Sequence, residues 1–254
     1  MTDDVLKYLF TLPPEEILKW FRGKGLTTSW SWRDLWQSAH NRAFTVAKGM
    51  DLDVLQSIKD EVDKIFSEGI TFEQFRRDLE PTLKRLGWWG KVKASDVPGF
   101  DPNSGVDPNK MVLLGSPSRL RTIFSTNSNV AYNGARYNAM LENAAERPYW
   151  LYIQIERPHK RKAHAVYANK VFMWNDPIWN SIFPPNGWNC GCYVIALNKA
   201  EVEARRLKVW NGDDVAIDVE EGWDYNPGKE MFKPDSKDYD KTLFNAYKTA
   251  VKQQ

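Results

Sequence analysis

Tyr149-Trp150-Leu151-Tyr152-Ile153-Gln154-Ile155 is where the chain changes period. Upstream, apolar residues recur every three or four positions. Here aromatic and β-branched residues follow one another directly, which suits a strand. Two more strand-like runs follow, Val171-Phe172-Met173-Trp174 and Cys192-Tyr193-Val194-Ile195-Ala196-Leu197. A short helix is expected from Ala200 to Lys208. Strands gathered after a helical segment predict an α+β fold. Its parts are a helical N-terminal half, a long central helix, and a small sheet near the C-terminus carrying a Cys-x-Cys strand.

Working back from Tyr149, Ser116-Pro117 opens a helix reaching about Asn143. Asn127, Asn129, Asn133 and Asn138 lie within it. Asparagine is a mediocre helix former because its amide competes for backbone partners, so several in one helix point to side-chain hydrogen bonding across a packed surface. Between Trp88 and Leu114 the turn signals Val97-Pro98-Gly99, Asp101-Pro102-Asn103 and Asp107-Pro108-Asn109 predict a long loop. Ahead of it four amphipathic helices are expected. The first starts at Pro13-Pro14-Glu15-Glu16, the second spans Trp32 to Lys48 with His40 inside it, and the third follows Asp51. The fourth opens with a capping box from Thr71 to Gln74, and Pro81 should kink or break it. The chain thus divides into a helical region 1–90, a linker 91–115, the long helix and sheet 116–210, and a tail 211–254 ordered by docking on something else.

The 35 basic and 33 acidic side chains leave a charge of +2, without the basic excess of a dedicated nucleic-acid binder. Two cysteines make no disulfide framework. The Met1-Thr2-Asp3-Asp4 opening is not a signal peptide, and no apolar run approaches the roughly 20 residues of a membrane span. Synthesis and folding in a reducing cytosol is expected. Twelve tryptophans point to core and protein-contact surface.

Both cysteines and two of the three histidines fall between Arg157 and Cys192. On an extended strand the Cys190 and Cys192 thiols share a face, where a disulfide across one residue is strained and a shared metal fits. With His164 and His159 they form a candidate tetrahedral zinc set, although Cys-x-Cys is tighter than the usual zinc spacing. The alternative is two small buried hydrophobes beside structural histidines. A thiol nucleophile served by His164 lacks an oxyanion loop and a residue to orient the base. Asp176 with Trp179, and Pro184-Pro185-Asn186-Gly187-Trp188, read as scaffolding: the prolines fix φ, Asn-Gly permits a tight turn, and Trp188 anchors the turn on the core. Lys160, Arg161 and Lys162 form a basic loop able to meet DNA phosphates, and Arg119 and Arg121 make a second basic pair. No phosphate-binding glycine motif occurs.

The run from Asp176 to Trp179, then Phe183 to Cys192, preceded by His164, resembles the closing motif of the F-type minor head proteins of Mu-like phages, part of a wider phage head morphogenesis family. Pro13-Pro14-Glu15-Glu16, Phe21-Arg22-Gly23-Lys24-Gly25, Trp32-Arg33-Asp34-Leu35-Trp36, Thr71-Phe72-Glu73-Gln74-Phe75, Gly87-Trp88-Trp89-Gly90 and Ser118-Arg119-Leu120-Arg121-Thr122-Ile123-Phe124 are similar to other family segments. Gly191 stands where members usually carry arginine, and Asn169 where they favour glycine. His159 is not a family position. The resemblance implies a non-enzymatic virion protein, made in the bacterial host cytoplasm and housed in the head interior. Its expected partners are the portal protein and major capsid or scaffold proteins, with phage DNA a further contact, no membrane, and no required cofactor. A metal- or thiol-dependent enzyme or toxin-like effector built on the Cys/His segment is the alternative, as is a DNA-binding protein within the head.

Overall fold

The computed structural model describes residues 14–31, 43–97, 99–155 and 161–231. Helix α1 (Pro14–Arg22) buries Ile17, Trp20 and Phe21. Strand β1 (Gly25–Leu26) pairs in parallel with β2 (Ala43–Phe44). The expected helix from Trp32 to Lys48 therefore does not reach its C-terminal end. Phe44 and Val46 are buried while Thr45 between them is half-buried, a two-residue alternation that overrides the helical reading of this stretch. Residues 32–42, including His40, lie outside the described residues.

Helix α2 (Leu52–Ser67) is capped by Asp51, whose carboxylate accepts from the Asp53 and Val54 amides. Its stripe of Val54, Leu55, Ile58, Val62, Ile65 and Phe66 faces the core. Helix α3 (Phe72–Arg85) starts with the expected box: the Gln74 amide donates to Thr71 Oγ1 while Gln74 Oε1 accepts from the Thr71 amide. It runs unbroken through Pro81. Pro81 is exposed, and so is Arg77, whose carbonyl loses its i+4 partner, so the lost helix bond falls on the solvent side.

The expected loop is irregular over most of its described length, but its two ends pair as short antiparallel strands, β3 (Lys91–Lys93) on β4 (Met111–Leu113), with Val92 opposite Val112. The Asp-Pro turns lie between them. Each strand holds three residues, too short to show a period against such dense turn signals.

Helix α4 (Pro117–Glu142) runs through both halves of the molecule. Leu120, Ile123, Val130, Ala131 and Ala135 belong to a first core with α1, α2 and α3. Tyr137 and Met140 belong to a second core that also holds Trp150, Tyr152, Phe172, Trp179, Phe183, Cys190 and Cys192. The sheet of that half has the order β6-β5-β7, all antiparallel: β5 (Tyr149–Ile153), β6 (Val171–Met173), β7 (Tyr193–Leu197). β5 is central and covered on both faces. Trp150 and Tyr152 face the second core, while Leu151 packs with Val171, Leu197 and Val202 on the other side. That two-sided burial is why its sequence is a continuous apolar run. Helix α5 (Trp179–Ile182) follows β6. Helix α6 (Lys199–Ala204) ends sooner than expected, because Arg206 adopts φ of 53° and the Leu207 amide turns back to the Val202 carbonyl. Asn169 adopts φ of 60°, the left-handed conformation that asparagine tolerates. Helix α7 (Pro227–Met231) is the last described element.

Candidate functional site

The site is assembled at the entry to β7. After β5 the chain returns through a 3-10 turn, Ala163–Val166, which carries His164. After α5 it passes the cis Pro184-Pro185 bond and the Asn186-Gly187-Trp188 turn, and then presents Cys190 and Cys192 as it runs extended into β7. His164 Nδ1 lies 3.6 Å from Cys190 Sγ and 3.5 Å from Cys192 Sγ. All three ligand-type atoms lie within 4.8 Å of one another. His164, Cys190 and Cys192 are 2, 5 and 4 % exposed, and neither cysteine forms a disulfide. His159 and Lys160 lie outside the described residues.

Around this trio the protein places further polar groups. The Tyr152 hydroxyl donates to Asn186 Oδ1 at 2.6 Å and also bonds with Cys192. The Asn186 backbone amide reaches Cys190. The Asn129 side-chain amide donates to the Cys190 carbonyl at 2.7 Å, and Ser125 Oγ donates to Asn189 Oδ1 at 2.6 Å. The asparagines of α4 divide between these cross-contacts and bonds to their own helix: Asn127, Asn133 and Asn138 donate to carbonyls four residues back, and Asn138 also reaches Gly228. The Cys192 thiol, assisted by His164 and the Asn186 amide, holds the Cys190 thiol well below its ordinary pKa despite burial. Burial pushes the Tyr152 hydroxyl well above its ordinary value, and the two nearby sulfurs push it further.

The scaffolding residues act in two directions. Asp176 accepts from the Ile178 amide and, with its second oxygen, from the Gly212 amide. Trp179 is 1 % exposed, and its indole N–H donates to the Met173 carbonyl at 2.9 Å. Pro184, Pro185 and Asn186 are buried. Trp188 departs from the single packed unit with the cysteines that its sequence position implies. Its half-buried indole packs against the first core, edge-on to Trp223 at 5.1 Å. The turn therefore bridges the cores, with thiols in one and an indole against the other.

Sequence reasoning missed what closes this turn. Glu220 accepts from the Trp188 amide at 2.8 Å and pairs with Arg161 at 3.0 Å, and its own amide donates to the Asn186 carbonyl. Arg161 also donates to the Trp188 carbonyl at 2.7 Å. A Cβ on Gly187 would meet the side-chain ends of Arg161 and Glu220, so any larger residue there must displace that ion pair. Asn226 is buried and donates to the Trp179 carbonyl. The tail as far as Met231 thus docks on the site. No periodicity marks Glu220 or Trp223; the acidic-aromatic run Glu220-Glu221-Gly222-Trp223 is the sole hint in sequence.

The basic candidates are largely committed elsewhere. Arg119 donates to the Leu113, Leu114 and Ala47 carbonyls above the Trp88 ring, and Arg121 lies 4.0 Å over Phe72. Lys162 is exposed.

Fold and site together define an α+β protein whose sulfur–imidazole cluster is walled off from solvent within the second core, on a turn whose indole packs against the first. The chain belongs to the Phage Mu protein F like family, which residues 56–195 match. It is 41 % identical over 237 residues to the "Putative capsid assembly protein F" of Escherichia phage Mu, covering 92 % of this chain and 52 % of that protein. It is 39 % identical over 209 residues to the "Mu-like prophage FluMu F protein" of Haemophilus influenzae, covering 81 % of this chain and 47 % of that one. The chain spans about half the length of these relatives. No solved structure matches it.

Proposed function

We propose that this protein is a non-enzymatic component of a phage or prophage head that acts in head morphogenesis, recruited by the portal or the inner capsid shell. The observation that carries the reading is the similarity, along 92 % of the chain, to a protein named for capsid assembly. The site supports it. A catalytic or effector role would need a substrate to reach thiols 4 to 5 % exposed behind a docked tail. Among the described residues, no helix is long and apolar enough to cross a membrane.

DNA contact is secondary in this reading. Arg161 is held by Glu220 and the Trp188 carbonyl, whereas Lys162 is exposed, so Lys162 and its sequence neighbour Lys160 are the cations assigned to phosphate in this reading. The test removes those two and spares the structural arginine. Lys160→Ala/Lys162→Ala should enter DNA-free heads at wild-type copy number, with any deficit confined to filled heads and dependent on salt. Absence of the variant from empty heads, or entry of the wild-type protein only with DNA, overturns protein-led recruitment.

A further inference from the structure

We propose that His164, Cys190 and Cys192 bind one thiophilic divalent metal ion, of which Zn2+ is the fitting member, as a structural site. The inference goes beyond the proposed assembly role and does not depend on it.

The first argument is metric. A tetrahedral zinc with Zn–N of about 2.0–2.1 Å and Zn–S of about 2.3 Å sets each N···S edge at about 3.6 Å. The two edges from His164 Nδ1 measure 3.5 and 3.6 Å. Both sulfurs are already at coordination-edge distance from the same nitrogen, without movement of the chain.

The second argument is valence. Nδ1 offers one lone pair or one proton, so it serves one of the two thiols at a time. Two sulfurs converging on one nitrogen in a buried pocket make a poor hydrogen-bond set and a natural ligand set. One soft nitrogen and two sulfurs select zinc-like ions over magnesium or calcium, which require oxygen.

The third argument is the surroundings. Cys190 has an outer donor in the Asn186 backbone amide, the kind of support that orients a thiolate ligand, and the Tyr152 hydroxyl lies beside Cys192. Asn186 is 0 % exposed, and its side-chain Nδ2 has no acceptor among the described residues. The ion would fasten the His164 turn to the entry of β7, adding to the Arg161 bond to the Trp188 carbonyl that already joins the two segments.

The experiment uses the full chain, untagged and purified from zinc-replete cells without chelator. Elemental analysis should find about one zinc per chain. Replacement by Co2+ should give the thiolate-to-cobalt charge-transfer band and the intense visible bands of a tetrahedral site. Chelation should lower Tm, and readdition of Zn2+ should restore it. Cys190→Ser/Cys192→Ser should contain almost no zinc, whereas His164→Cys, which keeps a soft donor, should retain it. If the double variant does not fold, the cobalt spectrum of the wild-type protein decides. Three results would overturn the site: wild-type protein without zinc and without a cobalt–thiolate band, stoichiometric zinc kept by the double serine variant, or a Cys190–Cys192 disulfide in protein purified under reducing conditions.

Discussion

Replacing Trp179 by alanine tests the two-core reading of the site most directly, when set against the same change at Trp188. Trp179 is 1 % exposed and touches three rings: Phe172 at 5.5 Å, Trp150 at 5.7 Å and Phe183 at 5.9 Å. Truncating a buried aromatic of this kind costs about 3–5 kcal/mol. The lost indole N–H also leaves the Met173 carbonyl without that donor, worth about 1 kcal/mol more, so Trp179→Ala belongs at the top of that range. Trp188 is half-buried and has Trp223 as its ring partner. Roughly half the burial, plus about 0.5–1.5 kcal/mol for one edge-on ring pair, puts Trp188→Ala near 2–3 kcal/mol. Trp179→Phe keeps a ring and loses the donor, and should fall near 1–2 kcal/mol. Urea denaturation followed by circular dichroism measures all three, compared through the midpoint with m unchanged. A loss at Trp188 equal to or above that at Trp179 would refute the reasoning. So would a Trp179→Ala cost below about 2 kcal/mol, since a fully enclosed ring cannot be removed that cheaply.

Two further changes probe features set apart from that ring cluster. Gly187→Ala forces a methyl between Arg161 and Glu220 and should cost about 1–3 kcal/mol; because Glu220→Ala makes room, the double variant should be less destabilised than the sum of the singles, and additivity in denaturant melts would show that the methyl is accommodated elsewhere. Lys24 is buried with its ammonium 3.9 Å from the Trp20 ring, and burial, then the charge of Lys59, lowers its pKa from 10.5 to about 7. Between those values the unfolded chain holds the proton that the folded chain has released, so stability should rise with pH across that window, with the full cost of the buried charge present below about 7. Lys24→Met should therefore be more stable than wild type near pH 6, by on the order of 2–4 kcal/mol, and the gap should shrink as pH approaches 10; a gap constant with pH rules out the buried charge as its cause.

Local signals in the sequence carried the elements whose determinants are local. Asp51 and Thr71 cap their helices with their own side chains, Ser116-Pro117 starts α4, and the stripe on α2 is a plain 3.6-residue pattern. Tyr149 to Ile153 could be read as a strand because both of its faces are buried. What escaped depends on distant partners. Ala43–Phe44 is a strand because Gly25–Leu26 lies beside it, and three-residue strands such as Lys91–Lys93 have no room to display a period. At the site, Cys190, Cys192 and His164 could be grouped because thiols and imidazoles are rare in this chain. Glu220 could not be singled out, since it is one of 33 acidic residues and its role comes solely from where the tail lies. Trp188 is the anchor that its place in the turn implies, but against the neighbouring core.

The docking of the tail also fixes an order in time. Helices α2 and α3 adjoin in sequence and pack together, so they can form soon after they are made. The contacts of Glu220 and Trp223 with the turn that carries the thiols form only once those residues exist, and 31 residues separate Cys192 from Trp223. At roughly 5–20 residues per second, a ribosome needs about two to six seconds to cross that interval. During those seconds the turn of a nascent chain lacks the contacts that Glu220 and Trp223 later give it. Whatever small species reaches the thiols has its easiest access before those contacts form.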